Sequence, residues 1–220
     1  MPTKKEIETV IKILSKEYKT FTVPIVTEIS ELERNPFKVL ISTLLSLRTK
    51  DETTSKATYR LFDVADTPQK MVKLSVKMIE KLIYPVGFYK VKALRIKDVC
   101  RLLLDKYKGE VPDDLDELLK IKGIGRKTAN LVIGLGFGKP AICVDVHVHV
   151  IMNRLDWVNT KNPDQTEFAL RSFLPKKYWI VLNDYLVAYG QNVCTTSYPK
   201  CGRCVLEKYC KYENKNMKRK

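Results

Sequence analysis

Acidic side chains are scarce in this chain. Over 220 residues, 25 Asp and Glu face 40 Lys and Arg, leaving a formal charge of +15. That one-sided excess argues against a surface carrying charges of both signs in near balance, as in heat-adapted proteins. A soluble protein this basic usually meets a polyanion, and nucleic acid is the commonest one. Long apolar runs are missing as well. No stretch approaches the ~20 residues needed to cross a bilayer. Residues 1–10 are polar and charged, without the apolar segment of a secretory leader. The expectation is a soluble, intracellular protein with no membrane contact. Sustained two-residue alternation is absent, and so are internal repeats and low-complexity tracts.

What is present is helical periodicity. The hydrophobic fraction, 45%, is ordinary for a globular protein, and the length suits two modest domains or one large one. Residues 4–17 place Ile7, Val10, Ile11 and Leu14 at three- and four-residue intervals, as an amphipathic helix does. A loop with Pro24 follows. Pro36 then opens a strongly apolar helix running from Phe37 to Leu47. Asp51 is expected to cap the next helix, through Ala57 to Leu61, and Thr67 to cap a short one begun by Pro68. Ser75 starts a helix that ends near Pro85-Val86-Gly87, and Lys90 to Tyr107 forms a long one. Pro112-Asp113-Asp114 caps another through Leu119, and a tight glycine turn leads into a helix from Arg126 to Gly138. Ala141 to Val144 is short and apolar, and a helical pattern through Val148, Ile151 and Leu155 follows at once. The basic tail from Lys215 to Lys220 is expected to fray.

Three constellations carry chemistry. The first is Lys122-Gly123-Ile124-Gly125-Arg126-Lys127. Two glycines one residue apart permit positive φ and leave backbone N–H groups uncovered just before a helix N-terminus, where an anion is attracted. Gly123 and Gly125 by themselves would also suit an ordinary turn between helices. Basic Lys120, Lys122 and Arg126 around the turn favour a phosphate cradle, with Ile124 plugging the two helices together. Lys127 falls in the first helical turn, an unfavourable place for an ammonium group. A partly desolvated lysine there could serve as a neutral amine nucleophile; a surface lysine near phosphate is the plainer alternative.

The second constellation is Cys143-Val144-Asp145-Val146-His147, an apolar setting for a carboxylate. Asp145 there can cap a helix, stabilise developing positive charge, or do both. His147 reads as a packed structural residue. The third is Cys194, Cys201, Cys204 and Cys210, spaced C-x6-C-x2-C-x5-C. Four thiols so close in a reducing compartment imply a metal centre rather than disulfides. Spacing alone does not separate zinc from iron–sulfur. Lys200 and Arg203 add positive charge to that loop, while Cys100 and Cys143 lie in apolar surroundings and read as core thiols.

Taken together, these stretches resemble the endonuclease III family of helix–hairpin–helix DNA glycosylases, over roughly Pro36 to Cys210. The resemblance implies an all-α fold of two domains with DNA bound across the cleft between them. A six-helix domain with the helix–hairpin–helix would span about residues 26–138. A second helical domain, residues 1–25 and 139–220, would carry a 4Fe-4S cluster on the four cysteines. The family's catalytic lysine and aspartate map onto Lys127 and Asp145. Relatives that remove adenine, or mismatched thymine, lack the lysine and stop after base removal. Lys127 therefore implies a bifunctional glycosylase and abasic-site lyase acting on oxidised pyrimidines through a Schiff base. A mismatch uracil or thymine glycosylase, or a non-catalytic DNA-binding module, are the alternatives. The implied partner is damaged double-stranded DNA, bound by a monomer in the cytoplasm with the nucleoid. Lys122, Gly123, Gly125, Arg126 and Lys200 would hold its backbone. Arg48 stands where many bacterial relatives carry glutamine, in the position that fills the gap left by a flipped base. Phe88 occupies the second wedge position, unless it is simply a core aromatic.

Overall fold

Side-chain caps set where most helices begin in the computed structural model, which describes residues 1–218. Twelve α-helices and several tighter turns make up the ordered elements, and no strand occurs among the described residues. Thr3, Asn35, Thr67, Ser75, Asp114, Asp145 and Asn162 each accept N–H groups of the first helical turn. Each such cap contributes about 1 kcal/mol. No helix among the described residues is long and apolar enough to cross a membrane. The chain divides into two compact units, Ile25–Lys139 and Met1–Pro24 with Pro140–Lys220.

The Ile25–Lys139 unit is built from α2 (Ile25–Leu32), α3 (Pro36–Ser46), α4 (Asp51–Val64), α5 (Pro68–Met71), α6 (Val76–Ile83), α7 (Tyr89–Tyr107), α8 (Leu115–Lys120) and α9 (Arg126–Leu131). Helix α3 is buried on every side from Val39 to Leu45, so it forms the unit's axis. Its buried hydroxyls return bonds to the helix itself: Thr43 Oγ1 donates to the Val39 carbonyl at 2.7 Å. Against α3 pack α2, α4, α7 and α9.

Two expectations from the sequence need correction here. Asp51 does not cap α4, whose N-cap is Lys50 without a side-chain bond. Its carboxylate instead accepts the Ile25 N–H at 3.0 Å, tying α4 to the start of α2. Helix α2 follows a proline and opens with the β-branched run Ile25-Val26-Thr27, whose stiff side chains lower helix propensity, so its local sequence does not announce a helix. Nor does one α-helix run from Arg126 to Gly138. After Leu131 the chain widens into a π-helical turn, Val132–Gly136. A Cβ at Gly136 would stand 2.9 Å from the Pro36 Cα, so the wider turn brings bare backbone against the start of α3. Ser30 Oγ donates to the Leu135 carbonyl at 2.9 Å and satisfies an acceptor there.

The other unit holds α1 (Lys4–Tyr18), α10 (Val146–Arg154), α11 (Pro163–Phe173) and α12 (Trp179–Asn192). The apolar stripe of α1, Ile7, Val10, Ile11 and Leu14, joins Val148, Ile151 and Met152 of α10 and Leu182 and Leu186 of α12 in one core. Burying each such side chain contributes roughly 1.5–3 kcal/mol. Trp157 Nε1 donates to Glu6 at 3.2 Å and pins α1 in register. The cysteine loop after α12 packs on the same core through Leu206 and Val193. The tail does not begin to fray at Lys215, whose ammonium bonds Glu207 at 2.7 Å. The last two residues of the expected frayed segment, 219–220, lie outside the described residues.

Candidate functional site

The glycine hairpin joins α8 to α9. The Ile124 N–H bonds the Ile121 carbonyl at 3.0 Å, and the Ile124 side chain is buried. Gly123 has φ +89°, a left-handed conformation that side chains avoid. The guanidinium of Arg95 also fills the place its Cβ would take. Gly125 is different. Its φ of −94° suits any residue, and a Cβ there would meet nothing within 4 Å. Packing inside the protein therefore does not explain a glycine at this position. A bare backbone at the start of α9, where no side chain caps the first N–H groups, suits the close approach of an external anion. Of the basic residues around the turn, Lys120 is engaged by Glu117, which also accepts from Tyr107 at 2.8 Å. Hydrogen bonds from Lys120, then Tyr107 and Lys106, hold Glu117 down to about 2. Lys122 stays exposed and Arg126 half-buried.

A second surface of this unit joins two loops. Arg48, at the end of α3, and Phe88, just before α7, both adopt left-handed backbone, with φ of 53° and 58°. A side chain in that region costs on the order of 1–3 kcal/mol, so surrounding bonds must hold it there. The Phe88 ring is 62% exposed, which excludes a core role. The Arg48 guanidinium lies 5.8 Å from its centroid, within cation–π reach. Sequence reading proposed each residue separately; the structure brings the two side by side.

Lys127 is the second residue of α9, half-buried and followed by buried Thr128, Ala129 and Asn130. Asp145 belongs to the other unit and is 8% exposed. Its Oδ1 accepts the N–H groups of His147 at 2.9 Å and Val148 at 3.0 Å, capping α10. The segment before it is held by Asn183, whose Nδ2 donates to the Cys143 carbonyl at 3.2 Å. The His147 ring packs where a Cβ on Gly190 would lie, 2.4 Å from its Nδ1. The carboxylate is thereby fixed in one orientation.

The four cysteines of the C-terminal loop are all free thiols. Cys194, Cys204 and Cys210 pack on the same core, and the Cys210 S–H donates to the Arg154 carbonyl at 3.3 Å. Burial pushes the Cys194 and Cys204 thiols up. Two donors work the other way. Arg154, 9% exposed, donates to Cys194 Sγ at 3.2 Å and to the carbonyls of Thr195 and Thr196 at 2.8 and 2.7 Å. Tyr189 O–H donates to Cys204 Sγ at 3.0 Å. Among the described residues, no three His, Cys, Asp or Glu side chains are arranged to hold a single metal ion. Sequence reading missed Arg154 and Tyr189, because in the sequence they are only positions on amphipathic helices. Lys200, expected to meet phosphate, is exposed, and its N–H bonds the Val193 carbonyl at 2.9 Å. Cys100 and Cys143 are buried, and burial pushes the Cys100 thiol up to about 12.

A glycine hairpin, a lysine in the first helical turn after it, a helix-capping aspartate and a cysteine quartet together describe a class of DNA-handling protein. Residues 41–176 match the family model of the HhH-GPD superfamily of base excision DNA repair proteins. Endonuclease III of Thermotoga maritima is 48% identical over 180 residues, covering 82% of this chain and 84% of its own length. A solved non-covalent endonuclease III–DNA complex superposes with a TM-score of 0.84 at 35% identity, covering 96% of each chain. A trapped endonuclease III–DNA covalent intermediate superposes with the same TM-score and identity, covering 96% of this chain and 97% of its own. The chain belongs to the endonuclease III family.

Proposed function

We propose that Lys127 and Asp145 carry the chemistry of this DNA glycosylase and abasic-site lyase, and that oxidised pyrimidines are its substrates. The observation that carries the reading is Lys127 itself, on the first turn of the helix that leaves the open Gly125 backbone. The hairpin amides bind a phosphate and bring the backbone of damaged DNA to that lysine. The amine then attacks the sugar C1′, and the bond to the base breaks with its electron pair leaving on the base, which takes up a proton. Ring opening gives an imine between Lys127 and C1′. Loss of a C2′ proton expels the 3′ phosphate, and water hydrolyses the imine to free the amine. Asp145, held by its cap, stabilises the positive charge that develops on the sugar. The relative caught as a covalent intermediate with DNA supports a covalent route. Arg48 and Phe88 form the wedge that occupies the gap and parts the strands when a base leaves the stack. Lys122, Arg126 and Lys200 add contacts to phosphate.

A test sets a thymine glycol duplex beside G·T and G·U mismatch duplexes. Base release on thymine glycol is expected to be at least ~10-fold faster, since each such discrimination needs only about 1.4 kcal/mol in the transition state. Faster release from the mismatches would reassign the substrate.

The cysteine quartet fits a 4Fe-4S cluster. The donor set is four thiols, and the N–H of Arg154 and O–H of Tyr189 reach two of the sulfurs, as thiolate ligands of an anionic group require. Cys194, Cys201, Cys204 and Cys210 would hold it, and once bound it would stiffen the loop that presents Lys200. Purified protein is expected to contain about four iron and four sulfide per chain. Cys201→Ser should lower the unfolding temperature of the unit it belongs to, because ligand bonds to a metal centre contribute to folding. Stoichiometric zinc without iron, in protein prepared anaerobically, would refute the cluster.

A further inference from the structure

Lys92, on the first turns of α7, is a lysine that the chemistry above leaves unused. It is 8% exposed, an unusual burial for an ammonium group. Its Nζ bonds the Leu45 carbonyl at 2.8 Å, the Leu47 carbonyl at 2.6 Å and Thr49 Oγ1 at 3.1 Å. Three protons thus meet three acceptors. Two of those acceptors are carbonyls at the C-terminus of α3, which lack helical partners and lie at the negative end of the helix dipole. Burial pushes the ammonium down to about 8, so it is still charged at neutral pH.

The third acceptor is shared. Thr49 Oγ1 also accepts the Gly87 N–H at 3.1 Å, and its hydroxyl donates to the Leu47 carbonyl at 3.3 Å. Gly87 lies so close that a Cβ there would stand 2.7 Å from the Arg48 carbonyl oxygen. The loops bearing Arg48 and Phe88 are therefore tied together through one hydroxyl, and α7 holds that hydroxyl with one ammonium group. Both displayed residues have left-handed backbone, which needs such a restraint.

We propose that Lys92 is a positioning residue for base extrusion, clamping the Arg48 and Phe88 loops into a single preformed wedge. The proposal rests on the reading of Arg48 and Phe88 as that wedge. Without the clamp, each loop must be ordered anew when it enters the duplex. The loss should fall on the step that removes a base from the stack. It should fall less on a site whose base is already gone, where extrusion costs less.

The test measures single-turnover base release from a thymine glycol duplex and cleavage of a preformed abasic site, with the same proteins. The proteins are wild type, Lys92→Met and Thr49→Val, with circular dichroism as the check of folding. Lys92→Met is expected to lower base release relative to abasic-site cleavage by roughly tenfold or more, and Thr49→Val to lower it in the same direction by less. Arg48→Ala should reproduce the skewed ratio. Equal losses on both substrates in folded variants would overturn the proposal, as would a wild-type ratio in Lys92→Met. Should Lys92→Met fail to fold, Thr49→Val decides alone, since its side chain lies in a half-buried loop. A wild-type ratio in folded Arg48→Ala would sink the wedge reading itself, whereas a wild-type ratio in Lys92→Met beside a skewed one in Arg48→Ala would sink only the clamp, so failure of one is not mistaken for failure of the other.

Discussion

Borohydride added during turnover on a thymine glycol duplex should crosslink the wild-type chain to DNA, and Lys127→Gln should abolish the crosslink. Borohydride reduces an imine to a stable amine, so only an enzyme passing through a Schiff base is trapped. Glutamine has similar reach and polarity but no nucleophilic amine, so the covalent route closes while the shape of the site is kept. The fold should tolerate the change. Lys127 is only half-buried, whereas the packing of this turn rests on Thr128, Ala129 and Asn130. Affinity for DNA should fall modestly, because the uncovered amides at Gly125 and the charges of Lys122 and Arg126 remain. Lesion processing should drop by ~10³-fold or more, the scale seen when a nucleophile is removed. A Lys127→Gln protein that still traps fully would show that another amine attacks.

The second large effect is expected at Asp145. Asp145→Asn should lower single-turnover base release by ~10²-fold or more with little change in binding, because the charge acts on the transition state. The substitution separates two roles that one side chain combines. Asparagine is as good an N-cap as aspartate, so the bonds to His147 and Val148 can be kept. Losing the anion at a helix N-terminus costs only about 0.3–1 kcal/mol of stability. A small shift in unfolding temperature with a large kinetic loss is therefore the expected pair of results. Near-normal rates in the folded variant would leave Asp145 as a cap alone.

Much of the site could be read from the sequence because its parts are local. Gly123-Ile124-Gly125 precedes Lys127 directly, Asp145 caps the helix it adjoins, and the four cysteines fall within a single loop. The parts that could not be read involve partners far apart in the chain. Asp51 looked like a cap for its own helix and instead serves the N–H of Ile25, 26 residues earlier. Arg154 reaches Cys194 across 40 residues. Gly125 and Gly123 look alike in sequence, yet only the structure distinguishes a glycine required by its φ and by Arg95 from one whose surroundings are open.

The sequence by itself determined the helical class, most helix starts, the charge that suits DNA, and the residues that could do chemistry. Those properties follow from hydrogen bonds and apolar spacings that span only a few residues, so neighbouring letters are enough to specify them. Only the tertiary structure decided which side chains are buried, which are displayed, and which hold others in place. Arg48, Thr49, Gly87, Phe88 and Lys92 become one device through bonds spanning 38 to 47 residues. Such bonds exist only once α3 and α7 pack. Which helices pack is settled by apolar burial summed over the whole unit, and no short stretch of sequence contains that sum.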